Sequence, residues 1–393
     1  MRVLFTVPPL AGHVNPTAAV GAELAARGHE VAWTGPAPAL ARLLPGRARI
    51  LPAGEEDAGG GGAAGGYAAL HERWRDLRGV GALRFLWEEA LVPLARAMVP
   101  GVERAAAGFA PDLMVCDQQA LAGPLVARRL GIPWVTSATT SAELTRPFAD
   151  FPKVGEWVDE RISGLLAEFG DTGGGWDPRF SDRLVLVFST PGLVGAQEGY
   201  PDHYAFVGPA FGARPAVPGF PWQRLDPDRL RVLVSLGTLN QEAGARFYRA
   251  VLGAAAQLAA RVQLVLAAPA ALVGDAPGHM ILQERVPQLE LLPHLDAVVC
   301  HGGHNTVCEA LAFGLPLVVA PIRDDQPIVA RQVVLAGAGV RLRFARTGAG
   351  ELRDALTAVL DRPGPRRAAR KIQASFSAAG GAAAAADRLE KLT

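Results

Sequence analysis

Between Arg285 and Gln326 the chain reads RVPQLELLPHLDAVVCHGGHNTVCEALAFGLPLVVAPIRDDQ. Its polar residues suit different parts of one kind of ligand. His301, Gly303, Asn305 and Thr306 gather donors around a glycine turn that opens a helix. A helix start bares backbone N–H groups and carries partial positive charge, so such a turn suits an anion such as a diphosphate. Glu309 follows eight residues after His301, about two helical turns on, where a carboxylate can accept from a ribose diol. Asp325 and Gln326 offer acceptors and a donor for sugar hydroxyls. An anion site beside a polyol site suggests a nucleotide sugar. Ser235, Gly237 and Thr238 follow a second apolar run, RVLVSL. They read as a further phosphate cradle or as a plain tight turn. His13 and Asp117 are the remaining candidates. Imidazole is the natural base for an alcohol proton, because its ordinary pKa lies near neutrality.

The elements that must hold these residues read as an α/β fold. DAVVC (296–300) and LPLVVAP are continuous apolar runs, as in strands buried on both faces of a parallel sheet. NTVCEALAF between them is helical, with Gly314 placed to stop it. Ligands in such sheets collect at the carboxyl ends of strands, which is where His301 and Asp325 fall. In the first half, Val3 to Val7 is a strand and Pro8 to Val14 a loop carrying His13. Asn15 then caps a helix with Pro16 in its first position, ending at Gly28, before the strand HEVAWT. PDLMVCD (111–117) is another buried strand, and it ends in Asp117 on the same side as His13. PWVTS, LVLVFST and YAFVGP read as later strands. Leu51 to Gly66 reads as a loop, Tyr67 to Ala107 as helices broken at Pro93 and Pro100, and Pro147 to Pro178 as irregular with one short helix. The Pro- and Gly-dense 208–222 is a linker. RVLVSLGT (231–238) and QEAGARFYRAVLGAAAQLAAR open a second sheet, and the last residues from about 376 form a helix. The expected division is 1–211, a linker 212–222, 223–375 and a C-terminal helix 376–393.

The 285–326 stretch resembles the C-terminal signature of the family-1 glycosyltransferases of the GT-B fold, which include plant secondary-product and bacterial macrolide or antibiotic enzymes. Val286-Pro287-Gln288, His294, His301-x-Gly303, Asn305-Thr306-x-x-Glu309, Gly314-x-Pro316, Pro321 and Asp325-Gln326 fall in that order and spacing. The plant pattern has tryptophan where Arg285 and His304 stand, so the base preference stays open and a bacterial enzyme is favoured. Arg285 either stacks on the base or is solvated, and His304 faces sugar or water. Arg323 and Asp324 read as a solvated loop, His294 as structural. The resemblance implies two Rossmann-like domains facing a deep cleft, with the C-terminal helix packed back on the first. It implies Arg285, Val286, Gln288 and Glu309 at the nucleoside, and Ser235, Gly237, Thr238, His301, Gly303, Asn305 and Thr306 at the diphosphate. It makes His13 the catalytic base, Asp117 the acid that orients it, and Asp325 and Gln326 the sugar contacts. The implied reaction is inverting, metal-independent transfer from a UDP- or TDP-sugar to a hydroxyl of a small apolar natural product. The donor is a co-substrate, and no cofactor is implied. Alternatives on the same scaffold are C-glycosylation, nucleotide-sugar epimerisation and non-catalytic nucleotide-sugar binding.

Composition narrows the setting. The 393 residues suffice for two domains, with 50% hydrophobic and 20% charged residues. A formal net charge of +1 makes no case for nucleic acid. Cys116, Cys300 and Cys308 lack metal or disulfide spacing and read as core thiols of a reducing compartment. The N-terminus reads as a first strand and no apolar run reaches the ~20 residues of a bilayer span. The expectation is a cytoplasmic enzyme, monomeric or homodimeric. A dinucleotide-binding oxidoreductase would need GxGxxG after the first strand, and PPLAGH is not that.

Overall fold

A computed structural model describes residues 1–54, 73–74, 77, 79–145, 148–149, 151–171, 173, 175–195, 199–237 and 244–392. The chain forms two compact units, one of Met1–Ser189, Gln197–Pro215 and Ala379–Thr393, the other of Thr190–Ala196 and Ala216–Ala378. Each is built on a parallel sheet.

The first unit contains β1 (Arg2–Thr6), β2 (Glu30–Gly35), β3 (Ile50–Pro52), β4 (Leu113–Asp117), β5 (Trp134–Ala138), β6 (Val185–Val187) and β7 (Tyr204–Phe206). Their order is β3-β2-β1-β4-β5-β6-β7, with Val3 beside Val31 on one flank and beside Leu113 on the other. The strand order reverses between β1 and β4. That is the switch point at which open α/β sheets bind ligands, beyond the carboxyl ends of the strands. Val3, Phe5, Leu113, Val115 and Val135 are 1% exposed or less, as expected for strands covered on both faces.

Three local readings are corrected. The first helix spans Ala11–Ala26 and carries Pro16 inside it, so Asn15 is no cap. The turn begins earlier because Leu10 O accepts from both His13 N and Val14 N, and His13 therefore sits in the first helical turn. The helical excursion is not broken at its prolines. Helix Gly79–Phe85 passes through a π turn, Leu86–Leu91, into helix Val92–Phe109. Val92 N reaches back to Trp87 O, and this wider turn accommodates Pro93. Pro100 stays helical because Met98, Val99, Val102 and Ala106 are all buried in the core. The segment 147–178 contains a seventeen-residue helix, Pro152–Glu168, that buries Val158, Ile162, Leu165 and Leu166 at helical spacing. Of the Leu51–Gly66 stretch, 55–66 lies outside the described residues, and 51–54 completes β3 and the turn after it.

The C-terminal segment is two helices, Pro363–Ala379 in the second unit and Gly381–Glu390 in the first. Gly380 divides them with φ +88, a conformation glycine adopts without steric cost. Ala385, Ala386 and Leu389 pack in one cluster with Val20 and Leu24 of the first helix. Arg27 bonds Asp387 and Glu390 beside them, and His29 also bonds Glu390.

The second unit contains β8 (Leu230–Ser235), β9 (Val262–Ala267), β10 (Ile281–Gln283), β11 (Ala297–Cys300), β12 (Leu317–Val319) and β13 (Gly339–Arg341), in the order β10-β9-β8-β11-β12-β13. Its switch point lies between β8 and β11, where Ser235 pairs with Cys300. All three cysteines are free and buried, and burial pushes the Cys300 thiol up to about 12. Among the described residues no helix is long and apolar enough to cross a membrane.

Candidate active site

The switch point of the first unit holds His13, from the helix after β1, and Asp117, the last residue of β4. The His13 side chain is 13% exposed and that of Asp117 fully buried, with 2.8 Å between His13 Nδ1 and Asp117 Oδ1. A carboxylate offers only acceptors, so the ring nitrogen facing it donates. Nδ1 therefore carries the proton and Nε2 the lone pair. Asp117 Oδ1 also accepts from Gln119 N at 2.9 Å, and Asp117 Oδ2 accepts from Thr139 Oγ1 at 2.7 Å. These donors compensate the burial of the charge, which would otherwise be expensive. The Thr139 oxygen lies 2.8 Å from His13 Nδ1. Sequence reading did not single out Thr139. Its signal was the buried polar run Thr136 to Ser141, in which only Ala138 is apolar, where β5 ends.

In the second unit His301 follows β11 and lies against the turn after β8. A Cβ on Gly237 would come within 2.6 Å of His301 Cε1, and one on Gly303 within 2.6 Å of His301 Nε2. The imidazole is thus held between two glycines. Gly237 also has φ +72, and its N–H donates to Ser235 Oγ at 3.3 Å. Gly303 precedes helix His304–Ala312, whose first turn contains Asn305 and Thr306. Thr238 lies outside the described residues. Glu309 is buried and accepts from Gln288 Nε2 at 2.6 Å, so these two nucleoside candidates are brought together. Val286 packs against the apolar core and Arg285 is exposed. Gln326 Oε1 accepts from the backbone N–H groups of Ile322 and Arg323. It thereby closes its own loop, which leaves its amide NH₂ as the sugar-type donor. Asp325 precedes the helix Gln326–Leu335.

Burial pushes His301 down to about 4; Asp325 and a backbone bond to Ser235 oppose this, and Arg323 adds to it. His301 is therefore a neutral donor near neutral pH. The same shift governs stability. Well above pH 6.5 the ring is neutral in both folded and unfolded chains and contributes no pH dependence. As pH falls towards 4 the unfolded ring takes a proton that the folded ring refuses, and stability is lost. From pH 7 to pH 5 this amounts to about 2 kcal/mol for a ring at about 4. Urea denaturation of the wild type and His301→Gln at both pH values checks it. The wild type is expected to lose that much more than the variant, and equal losses contradict it.

Two surroundings differ from the sequence reading. His304 is buried, with Nε2 3.4 Å from Cys308 Sγ, and does not face water. The Arg323 side chain is 2% exposed and lies 3.6 Å from Asp324, so it is no solvated residue. Asp324 itself adopts φ +57. His294 packs edge-on against Trp222.

Residues 249–392 match the family described as erythromycin biosynthesis protein CIII-like, C-terminal domain. Over 426 aligned residues the chain is 30% identical to 4'-demethylrebeccamycin synthase of Lentzea aerocolonigenes, covering 100% of this chain and 99% of that protein. The chain belongs to the antibiotic-type, family-1 glycosyltransferases. A second such glycosyltransferase, demethyllactenocin mycarosyltransferase of Streptomyces fradiae, is 31% identical over 424 residues, covering 100% of this chain and 86% of its own. The spinosyn rhamnosyltransferase SpnG, solved with thymidine diphosphate, superposes with a TM-score of 0.74 at 25% identity, covering 99% of this chain and 100% of that one. The two parallel-sheet units of this glycosyltransferase are those of the GT-B fold.

Proposed function

We propose that this glycosyltransferase moves a sugar from a UDP- or TDP-sugar to a hydroxyl of a small apolar natural product, with inversion and without a metal ion. The observation that carries the reading is the His13–Asp117 pair, 2.8 Å apart with the carboxylate fully buried. His13 Nε2 takes the acceptor proton while the acceptor oxygen attacks the anomeric carbon. The bond from that carbon to the diphosphate oxygen breaks, and its electron pair leaves with the nucleoside diphosphate. A single displacement inverts the anomeric centre. Asp117 holds the tautomer and balances the imidazolium that forms, as a buried carboxylate does behind other catalytic histidines.

The second unit carries preorganised donors suited to the negative charge of a leaving diphosphate, the kind of group most effective in a water-excluded site. They are neutral His301, the Gly237 turn and the helix start at Gly303 to Thr306; Thr238 belongs with them by sequence. Gln288 and Glu309 hold the ribose, with Arg285 and Val286 beside the base, and Asp325 and Gln326 read the sugar hydroxyls. Thymidine diphosphate in the spinosyn rhamnosyltransferase supports a TDP-sugar, and the hydrogen-bonding groups that Asp325 and Gln326 offer support a donor with free hydroxyls such as glucose. The test is nucleoside-diphosphate release from UDP-glucose and TDP-glucose with and without a panel of phenolic and polyketide acceptors, with the glycoside detected by mass spectrometry. Acceptor-dependent release with a matching glycoside is expected. Failure to bind either donor overturns the reading.

A further inference from the structure

We propose that Thr139 is a positioning residue that fixes the ring orientation of His13 through its hydroxyl, beside the tautomer that Asp117 sets. The inference rests on the reading of His13 as the base, and it adds a group outside the His13–Asp117 pair.

The geometry fixes the direction of every proton in the cluster. Thr139 is 3% exposed and follows directly on β5, the neighbour of the strand that ends in Asp117. Its hydroxyl lies 2.7 Å from Asp117 Oδ2 and 2.8 Å from His13 Nδ1. Ionised Asp117 can only accept, so the hydroxyl hydrogen points at Oδ2. The hydroxyl oxygen then has only lone pairs to offer His13. Nδ1–H is therefore shared between Asp117 Oδ1 and Thr139 Oγ1, and the three groups close a ring of hydrogen bonds. With the other tautomer, an Nδ1 lone pair would face a carboxylate oxygen and a hydroxyl lone pair together. The hydroxyl thus does two things at once. It supplies one of the side-chain contacts that hold the carboxylate in its plane, beside Gln119 N–H on Oδ1. It also gives the imidazole a second acceptor, which limits rotation about the ring's own axis. An imidazole held by a single acceptor can swing while keeping that bond, and Nε2 would swing with it.

The side chain needed is a hydroxyl with little volume to spare in a buried site. Valine keeps the shape and removes the hydroxyl; serine keeps the hydroxyl and removes a methyl group. The experiment compares wild type, Thr139→Val, Thr139→Ser and His13→Ala as full-length proteins, with steady-state kinetics on the donor and acceptor that give turnover. Nitrogen NMR of ¹⁵N-histidine-labelled protein reports the His13 tautomer. Thr139→Val is expected to lower kcat by about tenfold or more with the donor KM within about twofold of wild type. Its His13 Nδ1–H signal should shift and broaden as the second acceptor is lost while Asp117 keeps the proton on Nδ1, a change that loss of packing alone would not cause. Thr139→Ser should restore most of the rate and the wild-type spectrum. Wild-type kcat and an unmoved His13 spectrum in Thr139→Val overturn the inference, as does equal loss in the valine and serine variants. If His13→Ala itself keeps the wild-type rate, the base reading fails first, and that outcome is distinct from failure at Thr139 alone.

Discussion

Replacing His13 by alanine is expected to lower kcat by on the order of a thousandfold, within the range contributed by a positioned general base. The donor should still bind, because no group assigned to the nucleotide belongs to the unit that contains His13. The size of the loss follows from what the alcohol requires. An unactivated hydroxyl is a poor nucleophile, and its proton becomes acidic only as the new bond forms. Nε2 can accept that proton in the transition state because Nδ1 is already committed to Asp117 at 2.8 Å. Alanine removes both ends of this relay and leaves Asp117 with its Thr139 and Gln119 bonds. Asp117→Asn is the informative companion. Asparagine can present an NH₂ to Nδ1 and so favour the wrong tautomer, with the fold intact. The measurement is kcat with saturating donor and acceptor, together with donor affinity by calorimetry. A His13→Ala variant that keeps within about tenfold of the wild-type kcat would falsify the base assignment.

Much of the site was legible because its residues fall in strand–turn–helix positions. His301, Gly303 and Glu309 are fixed in number by a buried strand, a glycine turn and one helix, so spacing in the chain becomes position in space. Gly237 was readable as a phosphate cradle or a plain tight turn. Its role as one wall of the His301 slot depends on β8 and β11 being neighbours, and no local pattern states which strands adjoin. Thr139 was missed for the same reason. It reaches His13 across 126 positions of chain, and a threonine after a strand looks like any turn residue. The prolines misled in a regular way. Local propensity makes Pro16, Pro93 and Pro100 boundaries, yet each lies inside a continuous helical path whose buried face outweighs one lost hydrogen bond. Helix Pro152–Glu168 shows the converse case. Its apolar positions 158, 162, 165 and 166 carry the helical period, but Gly155 and Gly164 within it lower the local helix propensity. The burial of Arg323 and His304 lay beyond reach as well, because both depend on how a loop and a helix start pack within the second unit.

Gly237→Ala is expected to weaken nucleoside-diphosphate binding about tenfold or more, equivalent to about 1.4 kcal/mol or above. Two independent costs meet at this position. The backbone sits at φ +72, where a side chain costs roughly 1–2 kcal/mol. The added Cβ would also lie 2.6 Å from His301 Cε1 and 3.0 Å from Nε2. The ring cannot retreat towards Gly303, since that backbone already approaches Nε2 closely enough for a Cβ to meet it at 2.6 Å. Either the turn after β8 moves or His301 does, and each movement takes a proposed diphosphate donor out of place. Gly278→Ala is the control, because a Cβ there meets nothing within 4 Å and no left-handed φ is involved. Calorimetric titration with TDP and UDP, beside thermal unfolding of each variant, separates lost binding from lost folding. Gly237→Ala should lose affinity with its first-unit chemistry intact, and His301→Ala should lose a similar amount through the missing donor. Should Gly237→Ala bind as tightly as Gly278→Ala, the two-glycine slot has no part in holding the diphosphate. Should His301→Ala bind tightly as well, the diphosphate is held by the helix start at Gly303 to Thr306 without the imidazole, and the neutral ring serves the packing of the β8–β11 switch point instead.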